Sequence, residues 1–170
     1  QEGIAAVGEI GLDFHYAPES AALQCELFAR QLELAKTLGL PVVIHTREAD
    51  DATLGVLDET DSHRGIIHSF TGTRQAAAKF LDRGFFISFS GIVTFRLADN
   101  VRETALYVPL DRILIETDAP FLAPVPLRGK ENEPANVAHT CRFLAALRGV
   151  EEDAFAERPF NNAILALALK

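Results

Sequence analysis

The sequence lacks several features that point to particular classes of protein. It has no tryptophan, two cysteines, and no apolar run near the ~18 residues that a membrane span needs. Cys25 and Cys141 have no close Cys or His neighbours, which argues against a zinc knuckle and predicts two reduced thiols in the core. No basic start followed by a short apolar core predicts a signal peptide. We therefore expect a cytoplasmic protein with no membrane partner.

Basic residues are also scarce, since 16 Lys and Arg stand against 24 Asp and Glu, for a net charge of −8. Proteins that grip nucleic acid through its backbone usually carry a basic face. A phosphate-bearing substrate would therefore need a local feature, such as a bound metal or a few arginines. The glycine-rich nucleotide-binding motifs and the G-x-S-x-G setting of a serine nucleophile are also missing from the sequence.

What the sequence does contain is an alternation of strand and helix patterns. Short runs rich in β-branched and aromatic residues predict strands at residues 4–10, 42–45, 65–70, 85–89 and 112–117. Helices are predicted at residues 21–38, 49–59, 74–83, 98–107, 136–148 and 151–169, with a break near Pro159 in the last. In the first helix, Leu23, Leu27, Leu34 and Leu38 form one apolar face.

This alternation predicts an α/β fold with a parallel sheet, in a single domain over residues 1–170. A complete eight-unit barrel needs about 250 residues, so five units would be the larger part of one. An open, doubly wound sheet also suits five strands. The order of elements alone therefore leaves both architectures open.

Acidic and imidazole side chains gather near the predicted C-terminal strand ends. They are Glu9 and Asp13, His45 and Arg47, His68, and Glu116 and Asp118. Residues two apart on a strand face the same way, and sites in parallel α/β folds assemble at these ends. Carboxylates and imidazoles suit a divalent cation such as zinc, manganese or magnesium.

Structural explanations compete with each of these assignments. A strand-end His is often only hydrogen-bonded, and Asp13 or Asp118 would serve as a turn residue. Glu9 is harder to explain in this way, because a carboxylate in an apolar run needs a partner. Arg47 is a candidate anion contact or a solvent-facing arginine at the start of a helix, and His15 and Tyr16 could line the mouth of the site. Three residues of the Pro-rich loop are candidate phosphate contacts, although a solvated loop is the simpler interpretation: Arg128, Lys130 and Asn132.

Several blocks of the sequence together resemble a known family. "VGEIGLDFHY", "PVVIHTREA", "IIHSFTG", "FFISFSG", "ILIETDAPFLAP" and "RGKENEPANV" look like successive blocks of the TatD-type metal-dependent deoxyribonucleases, which are TIM-barrel hydrolases. The resemblance implies up to two divalent ions (Mg, Mn or Zn), with Glu9 as a bridging ligand and His45 and His68 holding one metal. It implies that Asp118 holds the other metal and acts on the attacking water. Arg47 would then contact a phosphate of DNA or another nucleic acid.

One part of the family pattern has no counterpart in this sequence. The family opens with a strand that bears an H-x-H pair, followed by two more βα units, whereas this chain starts at Gln1 and has no Met. We therefore expect the last five βα units of an incomplete (β/α)8 barrel. The expected function is metal-dependent hydrolysis of phosphodiester bonds. The alternatives are an amide or ester hydrolase on the same scaffold, for instance acting on aminoacyl-tRNA esters, and an inactive fragment whose strand-end acids are structural.

Overall fold

The fold is a parallel sheet covered by helices, as expected from the sequence. The computed structural model describes residues 3–169. Within them lie five strands: β1 (Val7–Asp13), β2 (Val42–Arg47), β3 (Gly65–Ile67), β4 (Phe86–Phe89) and β5 (Ile113–Ile115). Each strand pairs in parallel with the next one along the chain. A doubly wound sheet reverses its strand order at a switch point, so this unbroken order is that of a barrel.

Helices connect the strands and follow the last of them. In the described part of the chain these are α1 (Ala21–Leu38), α2 (Asp50–Glu59), α3 (Arg74–Asp82), α4 (Asp99–Tyr107), α5 (Val137–Arg148) and α6 (Glu152–Ala166). The predicted bounds of α1 are confirmed, and the helix ends because Gly39 takes a left-handed conformation with φ of 68°. No helix within residues 3–169 combines the length and the apolar character that a membrane crossing requires.

The two faces of the sheet have different partners. One face packs against the helices through fully buried residues, namely Leu12, Ile44, Ile67, Ile87 and Ile113. The opposite face carries Val43, Ile66, Phe86 and Leu114, which pack against Ala163, Ala166 and Leu167 at the end of α6. Two residues further along the same strands, and so on the same face, come His45, His68, Ser88 and Glu116. The functional side chains therefore lie next to these apolar residues, on the same face and nearer the C-terminal edge of the sheet.

The structure corrects three details of the sequence prediction. Strand β1 runs over Val7–Asp13 instead of residues 4–10, because pairing with β2 continues as far as Arg47. In α1, three of the four predicted leucines are exposed, and the buried stripe is Phe28, Leu32 and Ala35. The sequence spacing identified an apolar stripe but not the side that meets the sheet.

The third correction concerns α6, which continues through Pro159 without the predicted break. Pro159 removes one backbone hydrogen bond, but the helix is anchored on both sides of it. Phe155 is fully buried before the proline. After it, Asn162 donates hydrogen bonds to the carbonyls of Leu110 and Ile113, at 2.9 and 2.8 Å. Tertiary contacts therefore offset the intrinsic cost of the proline.

Candidate metal centre and substrate pocket

Three of the predicted ligands meet at the C-terminal edge of the sheet. The Oε1 atom of Glu9 lies 3.0 Å from Nδ1 of His45 and 3.1 Å from Nε2 of His68. The two imidazole rings have centroids 5.7 Å apart. One carboxylate oxygen from β1 thus lies within hydrogen-bonding distance of one imidazole in β2 and of another directly after β3.

A tight approach of the backbones brings β1 close to His45. Gly11 pairs with His45 and has a φ of +137°, and a Cβ at this position would lie 2.0 Å from the carbonyl oxygen of His45. Glycine is therefore required there. Glu9 itself is half exposed, with a side chain at 50%, because β1 is an edge strand of the described sheet. The expectation of a buried Glu9 carboxylate was wrong.

A second set of possible ligands shares His68 with the first. Nδ1 of His68 lies 2.8 Å from Oε1 of Glu116, and the backbone N–H of Ser69 donates to Oε2 of Glu116 at 3.1 Å. His68, Glu116 and Asp118 form a group whose ligand atoms lie within 4.8 Å of one another. Glu116 shares its strand parity with Asp118 but was not among the ligands predicted from the sequence. The distance of 48 residues from His68 left no local signal for this contact.

Charge and burial act in opposition at His68 and Glu116. Burial disfavours the charged imidazole, but the hydrogen bond to Glu116 and the negative charges of Glu116, Glu9 and Asp118 raise the pKa of His68 to about 9. Burial by itself raises the pKa of Glu116, yet the hydrogen bond and charge of His68 outweigh it, so this pKa lies below its ordinary value. The two groups therefore stabilise each other as an ion pair.

The two aspartates of the site differ in their environment. The pKa of Asp118 is raised, first by burial and then by the charges of Glu116 and Glu9, while His68 and His45 act in the opposite direction. Burial also acts to raise the pKa of Asp13, but hydrogen bonds from the backbone of Tyr16 and from His45 bring it below its ordinary value. Asp118 is therefore the better proton acceptor of the two.

Asp118 lies in the Pro-rich loop that follows β5, residues 116–136, and hydrogen bonds within this loop hold it in place. It has a φ of 58°, and the buried Asn132 amide donates to the carbonyls of Thr117 and Phe121, both at 2.7 Å. Asn132 was a candidate phosphate contact from the sequence, but its amide holds this loop together. The Arg128 guanidinium, another such candidate, lies over the ring of Phe95 at 3.6 Å from the centroid. Lys130 is exposed.

A cavity of about 560 Å³ opens beside these groups. Its lining includes His45, His68 and Asp118 together with Arg47, and also Tyr16, Ser69, Thr71, Ile92, Phe121 and Leu122. The Arg47 guanidinium lies over the Tyr16 ring, 4.6 Å from its centroid. His15, expected at the mouth, has its Nδ1 2.7 Å from Oε1 of Glu48. The predicted site residues thus line one cavity, except Glu9, which lies in the adjoining cleft with Asp13 and His45.

The arrangement of donors fits a divalent cation. Two ligands that each lie ~2.1 Å from one ion are ~3.0–3.4 Å apart in octahedral or tetrahedral geometry. The separations of 3.0 and 3.1 Å from the Glu9 oxygen to the two imidazole nitrogens fall in this range. Mixed nitrogen and oxygen donors suit zinc or manganese better than magnesium, which prefers oxygen ligands.

Comparison with known proteins identifies the family to which this site belongs. The family model described as TatD related DNase matches residues 1–167. The chain belongs to the TatD-related DNase family. Its TatD relatives include the uncharacterized metal-dependent hydrolase YcfH of Escherichia coli K12, which is 49% identical over 165 residues, covering 95% of this chain and 62% of the relative. The 3'-5' ssDNA/RNA exonuclease TatD of Erwinia billingiae is 36% identical over 167 residues, covering 94% of this chain and 64% of the relative.

Solved TatD structures confirm the fold class. The structure of YJJV, a TatD homologue from Escherichia coli K12, superposes with a TM-score of 0.90 at 34% identity, covering 97% of this chain and 64% of that one. A TatD family hydrolase from Entamoeba histolytica has a TM-score of 0.85 at 21% identity, over 95% of this chain and 62% of that one, and supports the fold alone. The chain spans about three fifths of the length of the first curated relatives that it matches, 62% for YcfH.

Proposed function

We propose that this chain provides the metal centre of a hydrolase that cleaves phosphodiester bonds of nucleic acid. The observation that carries the proposal is the single oxygen of Glu9 within 3.0 and 3.1 Å of two imidazoles. It is supported by membership of a family in which several relatives are named metal-dependent hydrolases and one is named a ssDNA/RNA exonuclease. Glu9, His45 and His68 would hold one divalent cation, and Asp118 would be a ligand of a second.

Each side chain has a distinct part in the proposed reaction. When bound, the cation would lower the pKa of a coordinated water and offset negative charge on the phosphoryl oxygens. Asp118 accepts the proton of the attacking water, to which its raised pKa is suited. The Arg47 guanidinium, which lines the same cavity, donates hydrogen bonds to a non-bridging phosphate oxygen.

Glu116 acts on His68 in this scheme. In the tautomer with a proton on Nδ1, His68 donates to Oε1 of Glu116 at 2.8 Å and leaves the lone pair of Nε2, 3.1 Å from the Glu9 oxygen, available to a cation. Metal-binding histidines commonly donate their other ring N–H to a carboxylate, which fixes the orientation of the ring. Glu116 is therefore a positioning residue for His68.

Metal content and hydrolysis of a single-stranded oligonucleotide test the proposal. We expect elemental analysis of the purified chain to find zinc or manganese, and cleavage with added Mg, Mn or Zn to stop on addition of EDTA. His68→Ala should lose bound metal and at least about 100-fold in turnover, since metal-site residues carry the chemistry. His63→Ala is the matched control, because His63 is exposed and contacts Asp61 at 2.8 Å.

Two outcomes would contradict the proposal. Retained metal and full nuclease activity in His68→Ala would show that the centre lies elsewhere. Metal-dependent cleavage of aminoacyl esters without any cleavage of DNA or RNA would favour an ester hydrolase on the same scaffold.

A further inference from the structure

Two large aromatic side chains stand in solvent at the mouth of the cavity. Tyr16 is 74% exposed and Phe121 is 68% exposed, and both line the same cavity as His45 and Asp118. Tyr16 follows β1 and Phe121 follows β5, so they come from the two outermost strands of the described sheet. Single exposed apolar residues are common on proteins, but a pair at one pocket mouth is typical of a binding surface.

The Tyr16 ring has a fixed support. Oδ1 of Asp13 accepts the backbone N–H groups of His15 and Tyr16, at 3.0 and 2.9 Å, and so fixes the turn after β1. Gln24 fastens the same turn, since its side chain accepts the Asp13 N–H at 2.8 Å. The Arg47 guanidinium lies 4.6 Å from the Tyr16 ring centroid and leaves most of the side chain exposed. The ring is thus held at the pocket with surface available to a ligand.

Phe121 is supported by the loop that carries Asp118. Its backbone N–H donates to the carbonyl of Asp118 at 2.9 Å, and its own carbonyl accepts from the buried Asn132 amide at 2.7 Å. The Phe121 ring therefore belongs to the same fastened turn as the group proposed to accept the proton from water. Its backbone is thus fixed relative to Asp118.

We propose that Tyr16 and Phe121 are stacking subsites for nucleobases next to the scissile phosphate, with Arg47 at the phosphate itself. This inference rests on the proposed function and specifies its substrate as single-stranded nucleic acid. Aromatic rings stack on any base, so the subsites tolerate different sequences. Bases inside a duplex are already stacked on each other, so single strands and frayed ends are preferred. Arg47 can contact Tyr16 and the phosphate at the same time, because its planar face stacks on the ring while its N–H edge remains available to the phosphate.

Binding of a fluorescent single-stranded oligonucleotide with phosphorothioate linkages tests the subsites without cleavage. In the presence of Mn²⁺, Tyr16→Leu and Phe121→Leu should each raise the Kd about 5- to 30-fold, the effect expected for one stacked base. The chain offers matched controls. Tyr107 also has a stacked guanidinium, that of Arg74 at 4.4 Å, and Phe160 is 67% exposed. Neither lines the cavity, so Tyr107→Leu and Phe160→Leu should leave the Kd unchanged.

A second ligand separates stacking from general effects of the substitutions. An oligonucleotide of the same length without bases keeps the phosphates but cannot stack. The unsubstituted chain should bind it at least about 25-fold more weakly than the normal oligonucleotide, because both stacked bases are lost, whereas the Tyr16→Leu, Phe121→Leu double variant should bind the two ligands nearly alike. Equal affinity of the unsubstituted chain for both ligands, or no binding of either, would overturn the inference.

The binding test also separates this inference from the proposed function. A chain that binds with the expected base dependence but does not cut would contradict the proposed hydrolysis and leave the subsites supported. A chain that cuts DNA or RNA while the two leucine variants bind like the unsubstituted chain would overturn the subsites alone. Circular dichroism melting of each variant checks its folding, and exposed positions such as these rarely alter stability strongly.

Discussion

His68 lies between carboxylates on both of its ring nitrogens, and this constrains how the site can hold a cation. Nε2 faces Glu9 at 3.1 Å and Nδ1 faces Glu116 at 2.8 Å. An imidazole offers one lone pair to a metal when its other nitrogen carries a proton. The two possible ligand groups that share His68 therefore compete for it, and the proposed assignment gives Nε2 to the cation.

We expect Glu116→Gln to weaken Mn²⁺ or Zn²⁺ binding by about 10- to 100-fold, the range seen when a partner of a metal-binding His is changed. The number of ions bound should not change. Glu116→Ala, which removes the hydrogen-bond acceptor, should bind the ion more weakly still. Competition titration with a chelating dye measures both quantities. Glu103→Gln is the control, since Glu103 is exposed on α4. Loss of one bound ion in Glu116→Gln would instead identify Glu116 as a ligand.

Asp50 provides a pH-dependent prediction outside the metal centre. Burial raises the pKa of Asp50, and its hydrogen bond from Thr46 at 3.0 Å only partly offsets this. A carboxyl whose pKa is higher in the folded state contributes stability below its unfolded pKa and loses it as pH rises through the folded pKa. At neutral pH the charged Asp50 therefore destabilises the fold.

Asp50→Asn should consequently raise the Tm at pH 7 and have little effect at about pH 3, where the carboxyl is protonated in both states. Its amide oxygen can still accept from Thr46. The gain should be about 1–2 °C, because near-surface substitutions rarely exceed about 0.5 kcal/mol and 1 kcal/mol corresponds to about 2–4 °C at this size. Thermal melts at both pH values measure it, with Asp153→Asn as control, because Asp153 is exposed and also lies in the first turn of a helix. An equal gain at both pH values would exclude the charge as its cause.

The site residues differ in how far the sequence could predict them. Glu9 lies within a recognisable apolar run, and His45 and His68 lie near the ends of two others, so parity and strand ends were enough to propose that they meet. Glu116 also ends such a run, but its neighbour Asp118 matched the family pattern, and spacing does not tell which carboxylate reaches an imidazole far along the chain. Asn132 was predicted to lie in a solvated loop, which was wrong because its burial depends on how a loop without periodicity folds back.

At the level of elements, the Asp118 loop depends on a buried asparagine. Asn132 donates to two carbonyls, and its own Oδ1 accepts the Glu133 N–H and the Asn136 side chain, both at 3.0 Å. A loop cannot satisfy its own backbone as a helix does, so a side chain fills that role. The position of Asp118 and of the Phe121 ring both follow from this one residue.

Asn132→Ala should therefore lower the free energy of unfolding by about 2–3 kcal/mol, since it removes a buried amide together with its side-chain hydrogen bonds. It should also reduce any hydrolytic activity, because Asp118 loses its placement. Urea unfolding followed by circular dichroism measures the stability. Asn132→Asp, which keeps the acceptor and loses the donors, should be similarly unstable, and the exposed Asn161→Ala should match the unsubstituted chain. An Asn132→Ala variant of full stability would mean that the loop is held by other contacts.

The elements themselves were predicted with uneven success, for identifiable reasons. Helix α1 has a clear stop at Gly39, and its bounds were confirmed. The start of β1 was placed too early because residues 4–6 are apolar but lie outside the pairing with β2. The continuation of α6 through Pro159 depends on anchors at Phe155 and Asn162, which are tertiary contacts without a local signature. Local sequence signals therefore predict where an element ends more reliably than they predict which of its faces is buried.

For the whole molecule, the sequential strand order decided between the two architectures that the sequence left open. Because the five strands are parallel and pair in chain order, all of their C-terminal ends lie at one edge of the sheet, as in a barrel. The acidic balance of the chain bears on the proposed substrate, since a protein with a net charge of −8 would have to attract a polyanion. Within residues 3–169, Arg47 is the one Lys or Arg that lines the main cavity.

The salt dependence of oligonucleotide binding tests this view of the whole surface. Each phosphate contact in a single strand contributes about −0.7 to the slope of log K against log salt, so about one or two contacts predict a slope between about −0.7 and −1.4. Arg47→Gln should make the slope shallower by about 0.7, whereas Arg30→Gln, which changes an exposed arginine paired with Glu26, should not. Fluorescence anisotropy between about 50 and 200 mM KCl measures it. A slope steeper than about −3 would require an extended basic surface, and would contradict binding that is centred on the metal site, Arg47 and the two aromatic rings.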